Sequence, residues 1–123
     1  GDRRIVDFLQ SKGIPTPYSE IREGRNFFDW DGYTDLILTN PPFNQTIEFL
    51  HHSLTRANTV IMLLPLRFLA SIGRKQFNQI NTPTGLIILS KRPCFVEGKS
   101  DNTDYAWFIW DKTDRTPRYL NWL

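Results

Sequence analysis

The sequence predicts an α/β domain on a mostly parallel sheet, with helices on both faces. Three observations carry the prediction. DLILT, TVIMLL, GLIIL and YAWFIW are continuous apolar runs rather than alternating ones, as expected of strands covered on both sides. Segments of helical spacing lie between several of them. The first run ends in Asn40-Pro41-Pro42-Phe43, a stiff corner just past the carboxyl end of a strand, where open α/β sheets carry their functional groups.

Taken in order, Arg3–Lys12 reads as a helix with Ile5, Phe8 and Leu9 on one face and Gly13 as its stop. Pro15 and Pro17 then forbid helix and extend the chain towards Tyr18–Ile21. Glu23-Gly24-Arg25-Asn26 is a turn signal, followed by the aromatic cluster Phe27, Phe28 and Trp30. Asp35–Thr39 is the first buried strand. The spacing predicts a helix over Gln45–Arg56, with Ile47, Leu50 and Leu54 facing inward and Asn44 available as its cap. Thr59–Leu64 is a second strand, stopped by Pro65. A weaker helix over Leu69–Ile80 is interrupted by Gly73, and Gly85–Leu89 and Tyr105–Trp110 are the remaining strands.

With 123 residues, no internal repeat and no dividing linker, Gly1–Leu123 is the size of one domain. Hydrophobic residues at 40% and charged residues at 23% exclude a disordered chain. Fifteen Lys+Arg against thirteen Asp+Glu leave a net charge of +2, which excludes a polycation gripping nucleic acid by charge alone but leaves room for a local basic patch. The single Cys94 can form neither an internal disulfide nor a cysteine-rich zinc site, so a reducing, cytoplasmic setting is expected. No apolar run approaches the roughly 18–20 residues that span a bilayer, so no membrane partner is expected. GDRRIV does not read as a leader, and the absent initiating Met points to a fragment.

The chemistry is concentrated in the tetrapeptide. Two prolines fix two φ angles and remove two N–H donors, so the corner presents acceptors without competing donors. The Asn40 side-chain oxygen and a neighbouring carbonyl can converge on a planar amine that offers two hydrogens. Holding both hydrogens aims the nitrogen lone pair at an electrophile, and Phe43 offers a flat wall for a conjugated ring. An ordinary Asn-Pro turn after a strand would contain the same dipeptide, but the four residues together at this position favour function.

TDLILTNPPF resembles the catalytic motif of the S-adenosylmethionine-dependent amino-methyltransferases, in particular the phage-type adenine-specific DNA methyltransferases. The likeness extends to GDRRIVDFL, similar to the tail of the family's glycine-rich cofactor motif. It also extends to YSEIREGRNFFDW, similar to its ribose- and adenine-contacting segments, and to SKRPCFVEGKSDNTDYAWFIWDK, similar to a late strand–loop–strand region. The resemblance implies a Rossmann-like class I methyltransferase sheet whose usual first strand would precede Gly1 and is therefore missing. Either neighbouring strands close that gap, or a second copy of the chain covers the exposed edges as a homodimer.

It further implies that Asn40 and the Pro41 carbonyl hold the exocyclic amine, with Pro42 stiffening the corner and Phe43 stacking on the target base. Gly1 and Asp2 would end the cofactor loop. Glu20, beside Ile21, would accept hydrogen bonds from the cofactor ribose, or equally be a solvated carboxylate beside Arg22. Asn26, where the family usually has Asp, and Phe27 would meet the cofactor adenine, with core packing an equal reading for Phe27. The implied reaction is methyl transfer to adenine in DNA, with the base drawn out of the duplex and no metal required. The same clamp would suit guanine in ribosomal RNA or a protein glutamine amide, and a degenerate relative would fold without acting.

Arg92, Lys91, Lys99, Arg67 and Arg74 could contact phosphates, though each alone is better explained as a scattered surface cation. Phe95 could form the opposite wall of the base pocket. His51-His52 has no partner at metal-ligand spacing and reads as structural or solvated, Cys94 reads as an inert thiol, and Asp111–Arg115 reads as a solvated turn.

Overall fold

The computed structural model describes residues 27–90 and 103–123, apart from the side chains of Phe43 and Ile72. Its five strands form one sheet in the order β1-β2-β4-β3-β5. They are β1 (Thr34–Thr39), β2 (Ala57–Pro65), β3 (Gly85–Ile88), β4 (Tyr105–Asp111) and β5 (Tyr119–Trp122). β1 pairs with β2 and β3 with β5 in parallel, whereas β4 runs antiparallel to both β2 and β3. The sheet is thus mixed, which corrects the expectation of a mostly parallel one in a specific way: four strands share a direction and β4 alone opposes them. An apolar run specifies burial on both faces, but it carries no information about strand direction.

Two helices complete the described fold, α1 (Thr46–Arg56) and the short α2 (Lys75–Ile80). The helix expected over Leu69–Ile80 is broken into 3₁₀ turns at Leu66–Leu69 and Ile72–Arg74 before α2 begins. Asn44 does not cap α1. Gln45 occupies that position and makes no side-chain cap bond. The buried stripe of α1 is Thr46, Leu50 and Ser53, at i, i+4 and i+7, so the inward face is rotated from the expected Ile47–Leu50–Leu54 line. Ile47 and Leu54 flank it, half-buried.

Strand alternation divides the core in two. Ile37, Val60, Met62, Leu64, Ala106, Phe108 and Trp110 point to one face, where Leu50 of α1, Phe68 and Phe27 cover them and Phe77 of α2 packs at the margin. Leu36, Ile61, Leu63, Ile87, Tyr105, Trp107 and Ile109 form the other. Among the described residues the helices lie only on the first face, so the expectation of helices on both faces holds for one side of the described sheet. Register explains the packing: Ile61 sits opposite Ile109, and Met62 opposite Phe108. All four are fully buried, each side chain adding about 1.5–3 kcal/mol of hydrophobic stabilisation. No described helix is long and apolar enough to cross a membrane.

Candidate functional site: an acceptor corner at the end of β1

β1 and β2 run side by side with Thr39 opposite Met62, so both deliver their following loops to the same, upper end of the sheet. The chain leaves β1 through Asn40-Pro41-Pro42. Pro42 lies at φ −58°, ψ 135°, the polyproline II region, and Phe43–Gln45 then forms a 3₁₀ turn leading into α1. Proline explains the abrupt exit, because its fixed φ and missing N–H end the ladder where two occur in succession.

The corner's acceptors differ in how they are engaged. The Pro42 carbonyl accepts from Gln45 N at 3.0 Å and from Thr46 Oγ1 at 3.3 Å, so it serves the start of α1. The Pro41 carbonyl and the Asn40 side chain accept no hydrogen bond from any described residue. Pro41 is buried while Asn40 is exposed, so the corner is anchored at Pro41 and open at Asn40. The two groups expected to hold an amine thus have no hydrogen-bond donor among the described residues, while the Pro42 carbonyl fixes the loop to the helix.

Phe27 does not fit a ring stacked against it. It is 5% exposed, and its ring lies nearly parallel to Phe49 (4.9 Å, 17°) and to Trp30 (6.4 Å, 24°), with the edge of His52 at 4.9 Å. It packs in the core, the reading that stood beside cofactor contact for this residue. His52 Nε2–H donates to the Trp30 carbonyl at 3.0 Å and ties this aromatic turn to α1. Gly1, Asp2, Glu20, Ile21 and Asn26 lie outside the described residues, as do Lys91, Arg92, Cys94, Phe95, Lys99 and the ring of Phe43. A groove of about 530 Å³ between α1 and α2, lined by Ile47, Glu48, His51, His52, Thr55 and Phe77, contains none of the corner residues.

The lower end of the sheet holds what the sequence reading missed. Asp111 is buried, and its carboxylate accepts six hydrogen bonds. Oδ1 takes Thr59 Oγ1 (3.0 Å), Thr113 N (2.8 Å) and Thr113 Oγ1 (2.6 Å). Oδ2 takes Arg115 N (2.8 Å), Thr116 N (2.7 Å) and Thr116 Oγ1 (2.7 Å). Burial alone pushes this carboxyl up, but the bonds from Thr113 and Thr116 outweigh it and hold the group far below the usual carboxylate range. Asp35 is lowered chiefly by its hydrogen bond from Arg115, with Asn58 adding a second. Asp111–Arg115 is thus the anchor that turns β4 towards β5, and not the solvated turn expected. The signal was present in Thr113 and Thr116, small side-chain donors two and five residues after an Asp.

Compared with protein-family models, with curated proteins and with solved structures, the chain matches none.

Proposed function

We propose that the chain is an S-adenosylmethionine-dependent amino-methyltransferase with a Rossmann-like class I sheet, acting on the exocyclic amine of adenine in DNA. One observation supports the reading: at the carboxyl end of a parallel strand, the Asn40 side chain and the Pro41 carbonyl accept no hydrogen bond from any described residue, on a backbone stiffened by two prolines. A clamp of this kind is matched to a planar amine, because both acceptors can take its two hydrogens at once.

When bound, S-adenosylmethionine supplies a methyl group on a sulfonium, open to direct displacement. Glu20 and Asn26 are the residues proposed to hold it, and Phe27 is not among them. The protein's own contribution is alignment and charge. Asn40 and Pro41 fix the amine so that its lone pair faces away from them, and their oxygens stabilise the positive charge that grows on nitrogen during transfer. Phe43 is proposed to stack on the adenine ring once it has left the duplex, a step costing about a few kcal/mol.

The test offers tritiated methyl donor with unmethylated DNA, ribosomal RNA and a protein extract in parallel. Label in DNA, released as N6-methyladenine on digestion, is the expected result. Label only in RNA or protein would remove adenine in DNA as the substrate while keeping the clamp. No label in any of the three would remove the enzymatic reading.

A further inference from the structure

From Phe49 to Ser90 the chain contains no Asp or Glu, yet it carries Arg56, Arg67, Arg74 and Lys75. The fold sorts the described cations by end. At the lower end each has a protein partner. Arg115 bonds Asp35 at 2.6 Å, Arg118 bonds Asp114, Arg56 donates to the Asp31 carbonyl at 2.8 Å, and Lys112 reaches the carbonyls of Leu54 and Ala57. At the upper end, Arg67 and Arg74 lie in the turns that follow β2 and Lys75 opens α2, and none makes an ion pair or hydrogen bond through its side chain among the described residues. Arg67 and Lys75 are exposed. Arg74 is held with its guanidinium carbon 4.9 Å from the Phe68 ring centroid, which fixes the plane of the fork while leaving its N–H donors unused. Among the described residues, the acids on this end include Glu48 in the first turn of α1 and Asp104, whose carbonyl accepts the Leu66 N–H. Neither forms an ion pair with the three cations.

We infer that the segment from Leu66 to Lys75 is a phosphate-contacting surface, with Arg67, Arg74 and Lys75 gripping the DNA backbone beside the base presented to Asn40. The placement fits because β1 and β2 are adjacent, so the cationic turns and the acceptor corner leave the sheet on neighbouring strands, about 4.8 Å apart. Cations without a charged partner among the described residues keep their charge for an outside anion, and each phosphate neutralised releases condensed counterions. The role as a DNA surface rests on the amine-transfer reading, but the binding itself is measured separately.

The experiment follows a fluorescein-labelled duplex of about a dozen base pairs by anisotropy, from 50 to 200 mM salt. The unaltered chain should show affinity falling with salt, and the double variant Arg67→Gln, Lys75→Gln should lower the slope of log K against log salt by about 1.8, at ~0.9 per phosphate contact. Both residues are exposed, so the thermal midpoint should not move, and circular dichroism checks this. Arg74→Gln in addition should remove about one further unit of slope. An unchanged slope in the double variant, or no duplex binding by the unaltered chain, overturns the surface. Methyl transfer is assayed on the same variants, so that the two readings are judged separately. A slope that responds to the cations without any methyl transfer keeps the surface and removes the enzyme, and transfer with an unresponsive slope does the reverse.

Discussion

Arg115 and Asp35, eighty positions apart in the chain, meet at 2.6 Å below the sheet. The same guanidinium donates to Thr59 Oγ1 at 3.2 Å and to the Asp35 carbonyl at 3.3 Å. One side chain from the β4–β5 connection thus joins the first residues of β1 and β2. Asp35 is 39% exposed, so the ion pair itself adds no more than about 1 kcal/mol. Asp35→Asn should therefore cost less than about 1 kcal/mol in urea unfolding. Arg115→Met removes all of these bonds and should cost more, about 1–3 kcal/mol. Equal costs would mean that the bridge works through charge alone.

Asp111 gives the fold a pH dependence of known sign. Its carboxyl is held lower in the folded chain than in the unfolded one, so its stabilising effect is complete above the unfolded value, near pH 4, and is lost as pH falls towards the folded value. The urea midpoint should hold between pH 7 and 5 and drop steeply below pH 4. Asp111→Asn should lower stability at pH 7 by about 3 kcal/mol or more, because its amide NH₂ faces donors where an acceptor is needed. It should also flatten the acid limb. An acid limb that keeps its steepness in the variant would assign the drop to other carboxylates.

Lys112 closes the carboxyl end of α1 from the far end of β4, with Nζ donating to the Leu54 carbonyl and, at 3.0 Å, to the Ala57 carbonyl. A cation at this position satisfies orphan acceptors and complements the helix dipole. Lys112→Met should cost about 1 kcal/mol and speed amide exchange in the last turn of α1 ahead of the sheet. Exchange that rose uniformly would indicate a global effect instead.

Gly85 is required by close approach. A Cβ built there would clash with the Pro117 carbonyl oxygen, a backbone atom that cannot rotate away. Gly85 is also the first residue of β3 paired to Tyr119 of β5. Gly85→Ala should destabilise by about 1–3 kcal/mol, with β5 amides losing protection first. An unchanged thermal midpoint would mean that the β4–β5 connection yields at no cost.

These elements also show where sequence is legible. The runs behind β1, β2, β3 and β4 could be read because strands buried on both faces need unbroken apolar stretches. β5 could not, because Tyr119, Leu120 and Trp122 lie exposed on a short edge strand and give no burial pattern. The inward face of α1 was misread because Thr46 and Ser53, small and polar, take core positions beside Leu50. The Asn40 corner was legible for a different reason: proline restricts backbone whatever surrounds it, so the tetrapeptide's conformation is largely local. That the Pro41 carbonyl meets no donor among the described residues was not, since that depends on which donors the rest of the fold supplies.

Asn40 offers the sharpest separation of function from stability. It is exposed and bonded to no described residue, so Asn40→Ala should change unfolding free energy by no more than about 0.5 kcal/mol. If the side-chain oxygen holds one amine hydrogen in the transition state, the same change should lower kcat by about 10²–10³-fold, the usual effect of removing one preorganised polar group. Asn40→Asp retains an acceptor oxygen at the same reach and should recover part of that loss, which a steric role for the amide would not allow. Initial rates of tritium transfer at saturating DNA, with urea unfolding of the same preparations, measure both quantities. An Asn40→Ala protein with full activity would show that the amine is held elsewhere.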